Sequence, residues 1–154
     1  MSKFTEVELG STRWLLASEA QKYLPADILE KLVAGYLPPA QQIVQQRKGH
    51  VSWVDGESGV FIKKYYPRNL ANRVQYSFRT NRAQNEFSSG NRLRGLGVPV
   101  PDLLAYNQFR QLGTWQCSYL VYRYYPGYTS LRDLDWETKH AGELVAPLAR
   151  EVAS

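Results

Sequence analysis

The run GVFIKKYYPRN, Gly59 to Asn69, decides how this chain is read. Val60, Phe61 and Ile62 have the β-branched and aromatic character of a strand, and that strand ends in two consecutive lysines. Successive side chains of a strand point to opposite faces, so one of Lys63 and Lys64 has to turn toward whatever the sheet covers. An ammonium group sent inward needs an anion to meet it, and the question is which lysine turns in and toward what.

The surroundings bound the answer. With 154 residues, 44% hydrophobic and 21% charged, the chain fits one globular domain, or a small lobe with extensions. No stretch approaches the roughly 18 apolar residues of a membrane span, and MSKFTEVELG lacks the basic-then-apolar layout of a signal peptide. The expectation is a cytoplasmic protein. Cys117 is the single cysteine; with no partner for an internal disulfide and no metal-ligand spacing, it reads as a buried strand residue. His50 and His140 stand apart from any metal or triad pattern and read as structural or solvent-exposed. Between Arg47 and Arg94 there are ten Lys and Arg against three acids, a local charge of +7. Nucleotide phosphates, nucleic acid or an anionic lipid headgroup would answer such a field.

The first forty residues read as a helical extension. SEAQKYL offers Ser18 and Gln21 as a capping box, and PADILEKLVAGYL sets Ile28, Leu29, Leu32, Val33 and Tyr36 on one helical face. Residues 41 to 127 form the central unit. QQIVQQRKG, HVSWVD and GVFIKKYY predict three antiparallel strands; NRAQNEFSSGNRLRGLG predicts a helix with Ala83, Glu86, Phe87, Gly90, Leu93 and Gly97 on one stripe; DLLAYNQ and WQCSYLVYRYY predict two more strands around a turn near Gly113. Gly90, in mid-helix, suggests a close approach of helix to sheet. Residues 128 to 154 read as helices that open a further, incomplete lobe. The fold class is α+β: a five-stranded antiparallel sheet with one packed helix, flanked by N-terminal and C-terminal helices.

Three strands, a helix and two strands, with a lysine on the third strand and a glutamate in the helix, is the order of a protein-kinase-like small lobe. Val60-Phe61-Ile62-Lys63 follows the V-A-I-K pattern, whose lysine ties ATP phosphates to a helix glutamate. Apart from Glu57, Glu86 is the only acid between Asp55 and Asp102. On this pattern Lys63 turns inward to Glu86, and Lys64 turns outward to water or an acidic substrate.

Two longer stretches, KGHVSWVDGESGVFIKKYYPRNLANRV and NRAQNEFSSGNRLRGLGVPVPDLLAY, resemble the lipopolysaccharide core kinases, the Kdo/heptose kinase family. The resemblance spans roughly residues 44 to 134; its GLGVPVP exit is also similar to aminoglycoside and choline phosphotransferases. It implies an ATP-dependent phosphotransferase acting on inner-core sugars of lipopolysaccharide at the inner face of the inner membrane, in peripheral contact with an anionic lipid surface. It further implies that Lys63 binds phosphate and Glu86 orients it. Gly49 would then lie in the phosphate-covering loop, and Arg123, Tyr124 and Tyr125 in LVYRYYPG would form a hinge that meets adenine through main-chain groups. Arg123 stands where many members carry an acid.

The sequence contains no H-x-D with a following Asn and no D-F-G. The catalytic base and the Mg²⁺ ligands are therefore expected in a second lobe, downstream or in another chain, and the chain alone is expected to be a poor catalyst. Asp133 and Asp135 read either as ribose or sugar contacts or as the start of a helix. The alternative function is a noncatalytic kinase-like protein, or a basic nucleic-acid or anion binder. YYPRN and YRYYPGY read better as strand ends and a hinge than as a base-stacking platform, which disfavours nucleic acid.

Overall fold

The computed structural model describes residues 4–9, 12–36, 42–56 and 58–126. The elements are β1 (Phe4–Leu9), β2 (Thr12–Ala17), α1 (Ala20–Tyr23), α2 (Ala26–Val33), β3 (Ile43–Arg47), β4 (His50–Asp55), β5 (Val60–Tyr65), α3 (Leu70–Phe78), α4 (Arg82–Gly95), β6 (Leu103–Gln111) and β7 (Thr114–Arg123). All seven strands join one antiparallel sheet in the order β1-β2-β6-β7-β5-β4-β3. The protein is α+β, as the patterning predicts, but the sheet has seven strands and not five, and two helices, α3 and α4, follow β5 where one was expected.

The two extra strands come from the N-terminus, which the sequence reading took as helical. Val7 and Leu9 alternate with exposed Glu6 and Glu8, a period-2 pattern, and β1 folds back on β2. β2 then pairs with β6, which covers an edge that the five-stranded sheet would leave open to other chains. The helical reading holds from Ala20 onward, although α1 begins after Glu19 with no side-chain cap, so Ser18 is not its capping residue. The expected C-terminal helices, with Asp133, Asp135 and His140, lie outside the described residues.

The sheet buries both faces. On one face Val60, Ile62, Trp53 and Val121 pack with Ile28, Leu29 and Leu32 of α2. Burial of this kind is worth about 1.5–3 kcal/mol per large side chain. On the other face Tyr65, Leu120, Tyr106 and Trp115 pack with Ala83 of α4. The pleat of β5 thus divides Val60 and Ile62 from Phe61, Lys63 and Tyr65. The hairpin between β6 and β7 turns through Leu112 (φ 50°) and Gly113 (φ 75°), both left-handed, as a two-residue turn matching strand twist requires.

Helices α3 and α4 are fixed at their starts by asparagines. Asn69 accepts the Asn72 N–H at 2.8 Å, and the fully buried Asn81 accepts the Gln84 N–H at 2.9 Å. Each satisfies an amide that has no helical partner. At its far end α4 closes with the Val98 N–H donating to the Leu93 carbonyl at 3.0 Å over Gly97 at φ 77°, the stop that GLGVPVP predicts. Gly90 does not mark a close approach: a β-carbon built there meets nothing within 4 Å. Gly90→Ala is therefore expected to stabilise the protein by about 0.5–1 kcal/mol, through lost disorder in the unfolded chain alone. The check is a thermal melt, and a lower midpoint would mean that the site is tighter than its surroundings indicate.

Candidate functional site

Lys63 and Glu86 meet. The Lys63 Nζ lies 2.5 Å from Glu86 Oε1, joining the end of β5 to the second turn of α4. Two tyrosines complete the contact: the Tyr65 hydroxyl donates to Glu86 Oε2 at 2.5 Å, and the Tyr122 hydroxyl donates to Oε1 at 2.8 Å. Each position follows from the pleat. Tyr65 is two residues beyond Lys63 on the same strand, and Tyr122 pairs opposite Phe61 on β7, so all of these side chains share the face that α4 covers. The ammonium also stands 5.3 Å from the centroid of the Tyr122 ring and 5.9 Å from that of Phe61, where ring faces favour a cation.

The electrostatics keep this arrangement charged. Burial alone would raise the Glu86 pKa, but the Lys63 charge and the three hydrogen bonds outweigh it and hold the carboxyl below its ordinary range. Tyr65 and Tyr122 move the other way, pushed up by burial and by the Glu86 carboxylate, so both phenols stay protonated as donors. The pair is partly open to water, about 30% of each side chain being exposed.

His50 stacks on Tyr65 with ring centroids 5.5 Å apart, and its Nε2 lies 3.1 Å from Gln45 Oε1. Burial first, then the charges of Arg82 and Lys63, hold its imidazole below the ordinary pKa, against a smaller opposing pull from Glu86. The unfolded chain therefore binds the proton more readily than the folded one. Stability present above about pH 6.5 is lost as the pH falls toward the folded pKa, and Glu86 adds a loss of the same sign below its own unfolded pKa. Melting temperature is expected to decline from about pH 7 to about pH 5, and His50→Gln is expected to flatten that decline. An identical slope in the variant would place the titration elsewhere.

Gly49 sits at the tip of the β3–β4 hairpin at φ 90°, and a β-carbon there would lie 3.2 Å from Arg68 Cγ and Nε. The Arg68 Nε donates to the Lys48 carbonyl at 3.1 Å, strapping the tip to the segment that leads into α3. Beside it opens a pocket of about 390 Å³ lined by Lys48, Arg68, Arg82, Asn72 and Asn85, among others, with no carboxylate among the described residues of its wall. Lys48, Arg68 and Arg82, three cations of the +7 region, thus line one concavity, while Arg94 is spent on Asp102 at 3.1 Å. Lys64 lies on the opposite face from Lys63, half-buried beside Cys117 with its Nζ 5.4 Å from the Tyr119 ring centroid. Cys117 is half-buried, and burial pushes its thiol pKa up, which suits a packing role rather than a nucleophile.

At the other end of β7, the Arg123 guanidinium lies 4.2 Å from the Tyr23 ring centroid and 4.9 Å from that of Tyr125. The Arg123 N–H donates to the Asp102 carbonyl at 2.9 Å and the Tyr124 N–H to the Gly59 carbonyl at 3.0 Å. The Tyr125 hydroxyl donates to Asp102 Oδ2. Sequence reasoning missed Tyr65, Tyr122 and Asp102. The tyrosines were recoverable from strand alternation and pairing; Asp102, after the helix stop, carried no local signal.

Comparison with curated proteins and with solved structures returns no match. The family comparison does: residues 42–153 match the lipopolysaccharide kinase (Kdo/WaaP) family. The match takes in the lysine strand, the Glu86 helix and the two strands that follow, and the chain belongs to the lipopolysaccharide kinase (Kdo/WaaP) family.

Proposed function

We propose that this protein is the nucleotide-binding part of an ATP-dependent phosphotransferase for inner-core sugars of lipopolysaccharide, in the manner of a protein-kinase-like small lobe. The observation that carries the reading is the 2.5 Å contact between Lys63 and Glu86, a partly exposed cation fixed by an anion across sheet and helix. Lys63 would bind the α- and β-phosphates, and Glu86, with Tyr65 and Tyr122, would hold the ammonium in place without consuming it. Lys48, Arg68 and Arg82 supply further positive charge near the hairpin tip. Adenine would meet the Arg123–Tyr125 segment. The N–H groups of Arg123 and Tyr124 already donate to other carbonyls, so neither of those two donors would read the base.

The residues described fit a triphosphate. Among them no three His, Cys, Asp or Glu gather to hold a metal, so Mg²⁺ would be carried in by the nucleotide and held by residues other than these. Its chemistry is to offset charge on the phosphates during transfer. The acceptor saccharide, the second lobe and contact with an anionic membrane belong to the same proposal. The test is calorimetric titration of the full chain with Mg²⁺-ATP and, separately, with single-stranded DNA. Saturable ATP binding that survives moderate salt supports the reading. Binding to DNA that falls steeply with salt, with indifference to Mg²⁺-ATP, would replace it with the anion-binding alternative.

A further inference from the structure

Helix α3 buries Ser77 but turns Leu70, Val74 and Phe78 to solvent, 71%, 49% and 86% exposed. These residues are four apart and form one stripe along the helix. The Trp115 N–H donates to Ser77 Oγ at 2.8 Å, and Arg110 Nη1 donates to the Ser77 carbonyl at 3.0 Å. The two bonds join the β6–β7 hairpin to the last turn of α3, and at the tip of that hairpin stands Leu112, 98% exposed. Leu112 is the one non-glycine residue with positive φ among those described. A leucine there costs about 1–2 kcal/mol that asparagine or glycine would not, and the exposed side chain recovers none of it within the protein.

The charge around these residues is of one sign. From Tyr66 to Asn85 there are four arginines and no carboxylate, and the hairpin from Phe109 to Ser118 around Leu112 adds Arg110 and no acid. A second copy of this chain would set arginine against arginine. The apolar side chains also stand on a convex helix and a protruding turn, a shape that suits a soft, fluid partner better than a preformed groove. We infer that α3 and the β6–β7 turn form a membrane-contact surface, with Leu70, Val74, Phe78 and Leu112 entering the headgroup–acyl boundary of a bilayer and the exposed Arg79 pairing with anionic headgroups. Leu112 holds its unfavourable backbone because its partner is lipid.

The inference deepens the membrane contact in the proposed function and is tested without nucleotide, so its failure leaves the phosphotransfer reading standing. The full chain is sedimented with vesicles of equal parts phosphatidylcholine and phosphatidylglycerol, and with vesicles of phosphatidylcholine alone. The expected result is partition into the anionic vesicles, reduced at least about tenfold by Leu70→Ser with Phe78→Ser, and reduced by Arg79→Gln and by Leu112→Asn. Leu112→Asn should do so while raising the melting temperature, a combination that lost folding could not produce. Val44→Ser, at an exposed site on β3, should change nothing. Equal binding by the variants, no binding by the wild type, or an apolar stripe that instead mediates self-association in lipid-free solution would overturn the inference. Should the double variant fail to fold, the Arg79 and Leu112 variants carry the decision.

Discussion

Lys63→Ala is expected to weaken Mg²⁺-ATP binding by about ten- to a hundredfold while leaving the fold intact. A charge-assisted hydrogen bond to a phosphate is worth about 1.5–3 kcal/mol, and each 1.4 kcal/mol is a tenfold change in affinity. The stability cost should stay near 1 kcal/mol, because the pair is partly open to water and Glu86 keeps its two tyrosine donors. Lys64→Ala is the control. Its side chain lies on the other sheet face, and nucleotide affinity should not move. Calorimetric titration of the two variants reads the contrast, and equal behaviour would remove Lys63 from the phosphate site.

The second large effect is structural. Trp14→Ala is expected to destabilise the protein by about 3–5 kcal/mol, a large part of the stability of a domain this size. Trp14 is fully buried, stacks on Tyr119 with ring centroids 6.0 Å apart, and belongs to the cluster that contains Val60, Ile62 and Val121. Its loss would leave a cavity between the N-terminal hairpin and the strand next to the lysine strand. A denaturant melt measures it. A cost under about 1 kcal/mol would mean that β1 and β2 are an appendage to the sheet instead of part of its core.

The strands from Ile43 to Tyr65 and from Leu103 to Arg123 were legible because their apolar runs are short, β-branched or aromatic, and bounded by turn residues. The Lys63–Glu86 contact was legible because few acids competed for the lysine. The N-terminal hairpin was not, since TRWLLA has no clean alternation and its burial depends on Tyr119 and Asn107, about a hundred residues away in sequence. Helix α3 was hidden for a different reason. LANRVQYSF lies shortly after a strand and faces water with its leucine, valine and phenylalanine, so its apolar stripe does not mark a core-facing side. Tyr65 and Tyr122 read as ordinary strand aromatics until the pairing of β5 with β7 set their hydroxyls on one carboxylate.

Asp102 accepts from Arg94 at the end of α4 and from Tyr125 beyond β7, while Asn81 pins the opposite end of the same helix. A beam clamped at both supports does not pivot about its middle. Glu86, on the second turn between those supports, is thereby denied the swing that would carry it off the lysine.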